Sequence, residues 1–331
     1  MQMEIGRSFI IKLFLLSLFL GPSLCFGNET SLTLVYSSNT LGEIEPIWRG
    51  RTSDAGGLAR RSHYIKKARE EAKNLLVLDG GDALVNSYFN DRQEKTKARK
   101  RAEVILEAYE RMGYDAINIG DLDLGLGIKY LRYLERRSNI PFISANLVYR
   151  GTEKTVFKPY LIKNIGGLRV GIVGLFPPEL PIHMHKELKG YAIKDPFRTA
   201  MTVMGYLTTR CDYLVALAHL TPFEIESLVD IFPRISIIIG GQDRSSSFPK
   251  EVFGSLVVQT DPFGIHIGRL NLRLRKGSWD HIDVFPTTLL RKNIEGYENV
   301  LTLLHPGMAS DPEIEKLIES SRDQPMKPVS R

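Results

Sequence analysis

The chain is poor in cysteine, with two in 331 residues, Cys25 and Cys211. Two thiols cannot build a disulfide framework, so stability has to come from a packed core. Apolar runs long enough to cross a bilayer are also missing. The longest, residues 13–20, is nearly all Leu and Phe and is too short for a comfortable span. The basic residues do not alternate with aromatics. The one dense cluster, Lys95, Lys97, Arg99, Lys100 and Arg101, reads as the solvated face of a helix, which argues against a nucleic-acid partner. There is no internal repeat, and no domain linker before about residue 290.

What is present suits a globular α/β protein. Hydrophobic residues make up 43% and charged residues 25%, with a formal net charge of +6. The length can supply one large domain with a full core. Residues 1–27 read as a secretory signal: Arg7 precedes the apolar block, Gly21-Pro22 breaks it, and small residues follow at Ser23 and Gly27. Cleavage after Cys25 or Gly27 would place the mature protein outside the cytoplasm, periplasmic or secreted. A lipid anchor through Cys25 is disfavoured, because Leu24 fits a lipobox poorly.

The chain is organised around L-L-V-L-D-G-G-D, residues 75–82. Four apolar residues followed by two glycines and a second carboxylate read as a buried strand breaking into a tight turn. Asp82 then lies at the carboxyl end of a central strand, where open α/β sheets place their ligands. Other strand ends also finish on polar residues: Ser37-Ser38-Asn39, Gly120-Asp121, His219 and Gly240-Gly241-Gln242-Asp243. Strands are predicted at 31–37, 75–79, 115–119 and 141–147, with helices at 57–73, 95–112 and 126–137 between them. That order predicts parallel pairing with right-handed crossovers. Residues 39–54 read as a polar loop.

After Pro159 the pattern changes. Residues 160–176 read as a hairpin about Gly166-Gly167. Asp195-Pro196 caps a helix, residues 213–220 form a strand ending on His219, and 222–232 is helical. Residues 235–239 form a further strand, and 256–259, 264–274 and 281–287 read as antiparallel strands. Residues 291–331 read as a tail with a short helix at 312–321, after a domain spanning 28–290.

With these strand ends in place, the chain resembles the calcineurin-like metallophosphoesterases, and more closely the N-terminal catalytic domain of the periplasmic 5′-nucleotidases. The matching segments run in unbroken order over about residues 31–290: Y-S-S-N-T-L-G at 36–42, G-G-L-A-R-R at 56–61, L-D-G-G-D at 78–82, G-Y-D-A at 113–116 with G-D-L-D-L-G at 120–125, S-A-N at 144–146, A-H at 218–219, and G-Q-D-R at 241–244. The resemblance implies a four-layer α/β/β/α sandwich with the site at the strand ends. It also implies a two-metal phosphate-ester hydrolase, in which carboxylates and imidazoles converge on both ions.

The site departs from that pattern. Where the family has the Asp and His of its first metal, this chain has Asn39 and Leu41. Asp82 stands at the bridging ligand, Asp121 replaces an Asn, and His219 is kept. Gln242 and Arg244 replace the two His of the last motif. The proton-donating His is Leu122 and its Asp partner is Gly125. Three readings stay open. The protein could bind no metal and hydrolyse nothing. It could hold at most one tightly bound divalent ion, Mn²⁺, Mg²⁺ or Ca²⁺, on Asp82, Asp121 and His219 with Gln242 or Asn39. Or it could remain a weak phosphoesterase, a phosphate ester or other small anion meeting Arg244 in place of the lost ion. No residue is assigned a catalytic role. Some 40 residues after 290 would not build the second, base-stacking domain of the 5′-nucleotidases, so nucleotide specificity is not expected from this stretch. His183 and His185 read as an exposed loop, His63 as solvated, His266 as packed or surface, and Asp261 as part of a turn near the cleft.

Overall fold

A computed structural model describes residues 29–49, 52–89, 91–180, 186–242, 249–275 and 294–322. The expected signal, His183, His185, Arg244 and the expected strand 281–287 lie outside these residues.

The first three predicted strands form as read, and the fourth, expected over 141–147, is cut to two residues, with Leu147 opening a separate strand. β1 (Glu29–Ser37) pairs in parallel with β4 (Leu75–Asp79), β4 with β5 (Ala116–Asn118), and β5 with β6 (Phe142–Ile143). The helices between them are α1 (Leu58–Glu71), α2 (Arg92–Met112) and α3 (Ile128–Arg137). Asp91 caps α2 through its carboxylate, and Gly113 ends that helix in the left-handed conformation at φ 72°. Residues 39–54 are not wholly a loop, because β2 (Pro46–Arg49) and β3 (Thr52–Gly56) form a small hairpin there.

A short antiparallel ladder joins β7 (Leu147–Tyr149) to β10 (Tyr191–Ile193). The second large sheet holds the hairpin β8 (Tyr160–Ile165) and β9 (Leu168–Leu175), then β11 (Tyr213–Ala218), β12 (Ile237–Gly240), β13 (Lys250–Val252) and β14 (Ser255–Val258), in the order β13-β14-β12-β11-β9-β8. α4 (Pro196–Thr208) and α5 (Pro222–Ile231) belong to this half. One expectation needs correcting here: β14 runs parallel to β12, and only β13 opposes it. An apolar run fixes burial but not pairing direction. β15 (His266–Arg275) is antiparallel to β1, so it returns to the first sheet.

The tail expected from residue 291 contributes structure. β16 (Ile294–Leu303) pairs with β15 as the outer strand of the first sheet, ordered β16-β15-β1-β4-β5-β6. α6 (Pro312–Arg322) is tied to α1 by Asp311, which accepts a 2.5 Å hydrogen bond from Ser62 and pairs with Lys66 at 2.9 Å.

Side-chain alternation builds the four layers. Along β1, Leu32, Leu34 and Tyr36 point between the sheets, where they meet Val170 and Ile172 of β9 and Val215 and Leu217 of β11. Val35 and Val77 point the other way, into a core with Ile65 of α1 and Ala102, Ile105 and Tyr109 of α2. Leu214 and Ala216 of β11 face Met204 and Leu207 of α4 and Leu228 of α5. The apolar runs that hide period-two alternation are those of strands covered on both faces. The α/β/β/α sandwich is therefore the observed architecture, and its parallel strands deliver their carboxyl ends to one edge.

Candidate metal centre

Close backbone approach makes the site. The two sheets meet at Gly80 and Gly241: a Cβ on Gly241 would lie 2.5 Å from Gly80 O and 2.7 Å from His219 Nδ1. A Cβ on Gly120 would lie 2.1 Å from Asp82 Oδ1, so only glycine fits beside that carboxylate. Asp82 itself is forced to φ 54°, a left-handed conformation that aspartate tolerates better than most residues.

At this junction Asp82, Asp121 and His219 offer ligand atoms that all lie within 4.8 Å of one another. His219 Nε2 is 2.9 Å from Asp121 Oδ1 and 3.4 Å from Asp82 Oδ2. The remaining carboxylate oxygens are occupied. Leu122 N donates to Asp82 Oδ1 at 2.9 Å, and Tyr88 donates its hydroxyl to Asp121 Oδ2 at 2.5 Å. Burial raises the Asp82 carboxyl above its usual range, although His219 works against it. Burial opposes charging of His219, but the carboxylates of Asp82 and Asp121 outweigh it and hold the imidazolium to about 10. Burial would also raise Asp121, yet its hydrogen bond to His219 brings its carboxyl below the ordinary value.

Two supports around this cluster were given no role from the sequence. Asp123, fully buried, accepts from Leu84 N at 2.9 Å and Gly120 N at 3.0 Å, and so clamps the loop carrying Asp82 to the loop carrying Asp121. Burial first, then the Asp82 charge, push its carboxyl up to about 8. Asp79, also fully buried, accepts from Gly81 N at 2.9 Å, Ser37 Oγ at 2.6 Å and Tyr109 Oη at 3.1 Å. Tyr109 in turn accepts from Arg61 Nη1 at 2.8 Å. The D-x-D spacing of residues 121 and 123 and the first carboxylate of D-G-G-D were the available signals. Tyr88 had none, because it stands alone in an irregular loop.

The other candidates are placed differently. Asn39 is buried, with φ 51°; its N–H donates to Gly81 O at 2.9 Å and its C=O accepts from Phe263 N at 2.8 Å. Leu41 is 2% exposed and belongs to the apolar core. Gln242 follows the glycine that abuts His219, and its Oε1 is buried without a hydrogen-bond partner. Leu122 is 6% exposed and carries no proton to give. His266 is paired with Asp261 at 2.8 Å. The basic stretch of α2 is more engaged than a solvated face: Arg99 donates to Leu126 O and stacks over Tyr130, and Arg101 donates to Gly42 O.

Two carboxylates and an imidazole form a candidate partial metal site whose donors suit an oxygen-preferring divalent ion. Around Asn39 and Leu41 the described residues supply no such set.

No protein-family model matches the chain. Among curated proteins it is 26% identical over 187 residues to a 2′,3′-cyclic-nucleotide 2′-phosphodiesterase/3′-nucleotidase of Haemophilus influenzae, covering 53% of this chain and 28% of that protein. It is 23% identical over 305 residues to a 5′-nucleotidase of Vibrio parahaemolyticus, covering 80% of this chain and 52% of the relative. The chain thus spans about half or less of the length of these relatives. Among solved structures, a 5′-nucleotidase precursor from Thermus thermophilus superposes with a TM-score of 0.70 at 24% identity, over 88% of this chain and 58% of the other. The calcineurin-like phosphoesterase YfkN from Bacillus subtilis superposes with a TM-score of 0.72 at 18% identity, over 89% of this chain and 97% of the other.

Proposed function

We propose that this chain, which has the calcineurin-like metallophosphoesterase fold and resembles the N-terminal domain of 5′-nucleotidases, holds one divalent cation and hydrolyses phosphate esters slowly or not at all. One observation carries the reading: a single cluster of acidic and imidazole donors, Asp82, Asp121 and His219, converges among the described residues. A bound ion would supply Lewis-acid charge to the oxygens of a phosphate ester or other small anion. Asp82 Oδ2, Asp121 Oδ1 and His219 Nε2 would hold it, and Gln242, whose Oε1 is buried without a partner, follows the glycine that abuts His219. The oxygen-rich set favours Mn²⁺, Mg²⁺ or Ca²⁺.

Proton delivery is the weak step. Leu122 cannot protonate a leaving group, and the Tyr88 hydroxyl is already given to Asp121. A missing general acid costs about 10²–10⁴-fold in rate. Aryl phosphates, whose leaving groups need less acid help, should therefore be turned over faster than AMP, and both slowly. The test is a panel of phosphate esters with Mn²⁺, Mg²⁺, Ca²⁺ and Zn²⁺ each supplied. AMP turnover at about 10 s⁻¹, a typical enzyme rate, would overturn the reading.

A metal-free binding protein is the second reading. The imidazolium of His219 at 2.9 Å and 3.4 Å from two carboxylates is an ion cluster that satisfies itself. Elemental analysis of the purified protein separates the two. No helix among the described residues is long and apolar enough to cross a membrane. An extracytoplasmic location rests on the charged-then-apolar N-terminus. N-terminal sequencing should then begin near Phe26 or Asn28, and an intact Met1 on cytoplasmic protein would contradict it.

A further inference from the structure

We propose that Tyr88 is a positioning residue that latches residues 86–89 onto Asp121, and that the bare backbone of Gly125 is what lets this latch seat. Gly125 is buried in the 3₁₀ turn Leu122–Leu126. Its φ is not in the left-handed region, so the backbone does not demand glycine there. Space does: a Cβ at 125 would lie 2.7 Å from Ser87 O and 3.6 Å from the Phe89 ring. A separation below 3.0 Å from a backbone oxygen is one that real Cβ atoms essentially never show. The residues just before and after Tyr88 therefore rest directly on Gly125, and any side chain at that position has to lift them.

Seated in this way, the Tyr88 hydroxyl reaches Asp121 Oδ2 at 2.5 Å, a short charge-assisted bond. Asp121 is then fixed at both oxygens, since Oδ1 lies 2.9 Å from His219 Nε2. Its side chain keeps 18% exposure, so without the latch it would be the freest member of the cluster, beside Asp82 at 3% and His219 at 0%. A carboxylate held from outside presents its inner oxygen in one orientation, which is how a supporting residue raises the affinity of a cation site. This inference rests on the reading that Asp82, Asp121 and His219 hold the ion, but the latch itself can be tested without one.

The experiment uses the full-length protein, Tyr88→Phe, Gly125→Ala and the double variant. In the first arm, amide hydrogen exchange is followed without added metal. Residues 84–89 should exchange at least about tenfold faster in Tyr88→Phe and in Gly125→Ala, with β4 unchanged. Unaltered exchange in Tyr88→Phe, which removes only an oxygen and keeps the fold, overturns the latch. In the second arm, Mn²⁺ affinity is measured by calorimetry. Tyr88→Phe should weaken it by about 10- to 100-fold. The double variant should be no more than about threefold weaker than the weaker single one, because both changes break one contact. Fully additive losses overturn the link between Gly125 and Tyr88, and unchanged affinity in Tyr88→Phe overturns its positioning role. Wild-type protein that takes up no Mn²⁺ overturns the cation reading, while the exchange arm still supports or overturns the latch.

Discussion

The carboxyl ends of the central strands carry two kinds of chemistry. Behind β4, β5 and β11, Asp82, Asp121 and His219 converge, with Asp79, Asp123 and Tyr88 holding them in place. Behind β1, the same edge of the same fold carries Asn39 and Leu41. There Asn39 is bound through its backbone to Gly81 and Phe263, Leu41 N donates to Asp82 O at 2.8 Å, and the Leu41 side chain joins the apolar core. The backbone scaffold is shared, but among the described residues a cluster of carboxylate and imidazole donors forms on one side only. That difference between the two sides is what the proposal of a single cation rests on.

The contrast can be broken in four ways, from the largest expected effect down. Asp82→Ala removes the central donor and should weaken Mn²⁺ binding by at least about 100-fold, measured by calorimetry. Leu41→His returns an imidazole to the other side. The left-handed φ of 56° at Leu41 accommodates His, but burying its polar ring in the core should cost about 1–3 kcal/mol in urea unfolding. It should add no second ion, and a second Mn²⁺ equivalent in this variant would erase the distinction between the two sides. Leu122→His tests whether the missing acid alone limits chemistry. Aryl-phosphate turnover should rise less than about tenfold, against the 10²–10⁴ a well-oriented acid supplies, because Ser87 O leaves no room at Gly125 for a carboxylate to orient the ring.

The smallest effect is a control far from the edge. Burial would raise the Asp311 carboxyl, but its bonds to Ser62 and Lys66 outweigh that and hold it below the usual value. A depressed carboxyl stabilises the fold above its unfolded value, and that contribution is lost as pH falls through the folded one. Asp311→Asn should cost about 1 kcal/mol at pH 7 in urea unfolding. The difference from wild type should close in strong acid, and Mn²⁺ affinity should not change.

Much of this was legible because strand ends are local features. Asp82, Asp121 and His219 each follow an apolar run and lie beside glycines or small residues, so their shared edge could be read before any contact was known. The supports were not legible. Tyr88 acts through a loop whose seating depends on the absence of a side chain at position 125, far along the chain. Arg61 is visible in the sequence only as part of G-G-L-A-R-R, which does not tell that it is 1% exposed and bonded to Tyr109. β16 was missed because its outer position leaves it half-exposed, with Tyr297, Val300 and Leu303 open to solvent, so its pattern never alternates cleanly. Pairing direction in the second sheet was equally hidden, since β12 and β14 are apolar whichever way they run.

The claim that this edge serves one cation is tested most directly by titrating metal-stripped, full-length protein with Mn²⁺ and counting equivalents. The account predicts a single equivalent, lost in Asp82→Ala. Two equivalents bound with comparable affinity, or none at all, would contradict it.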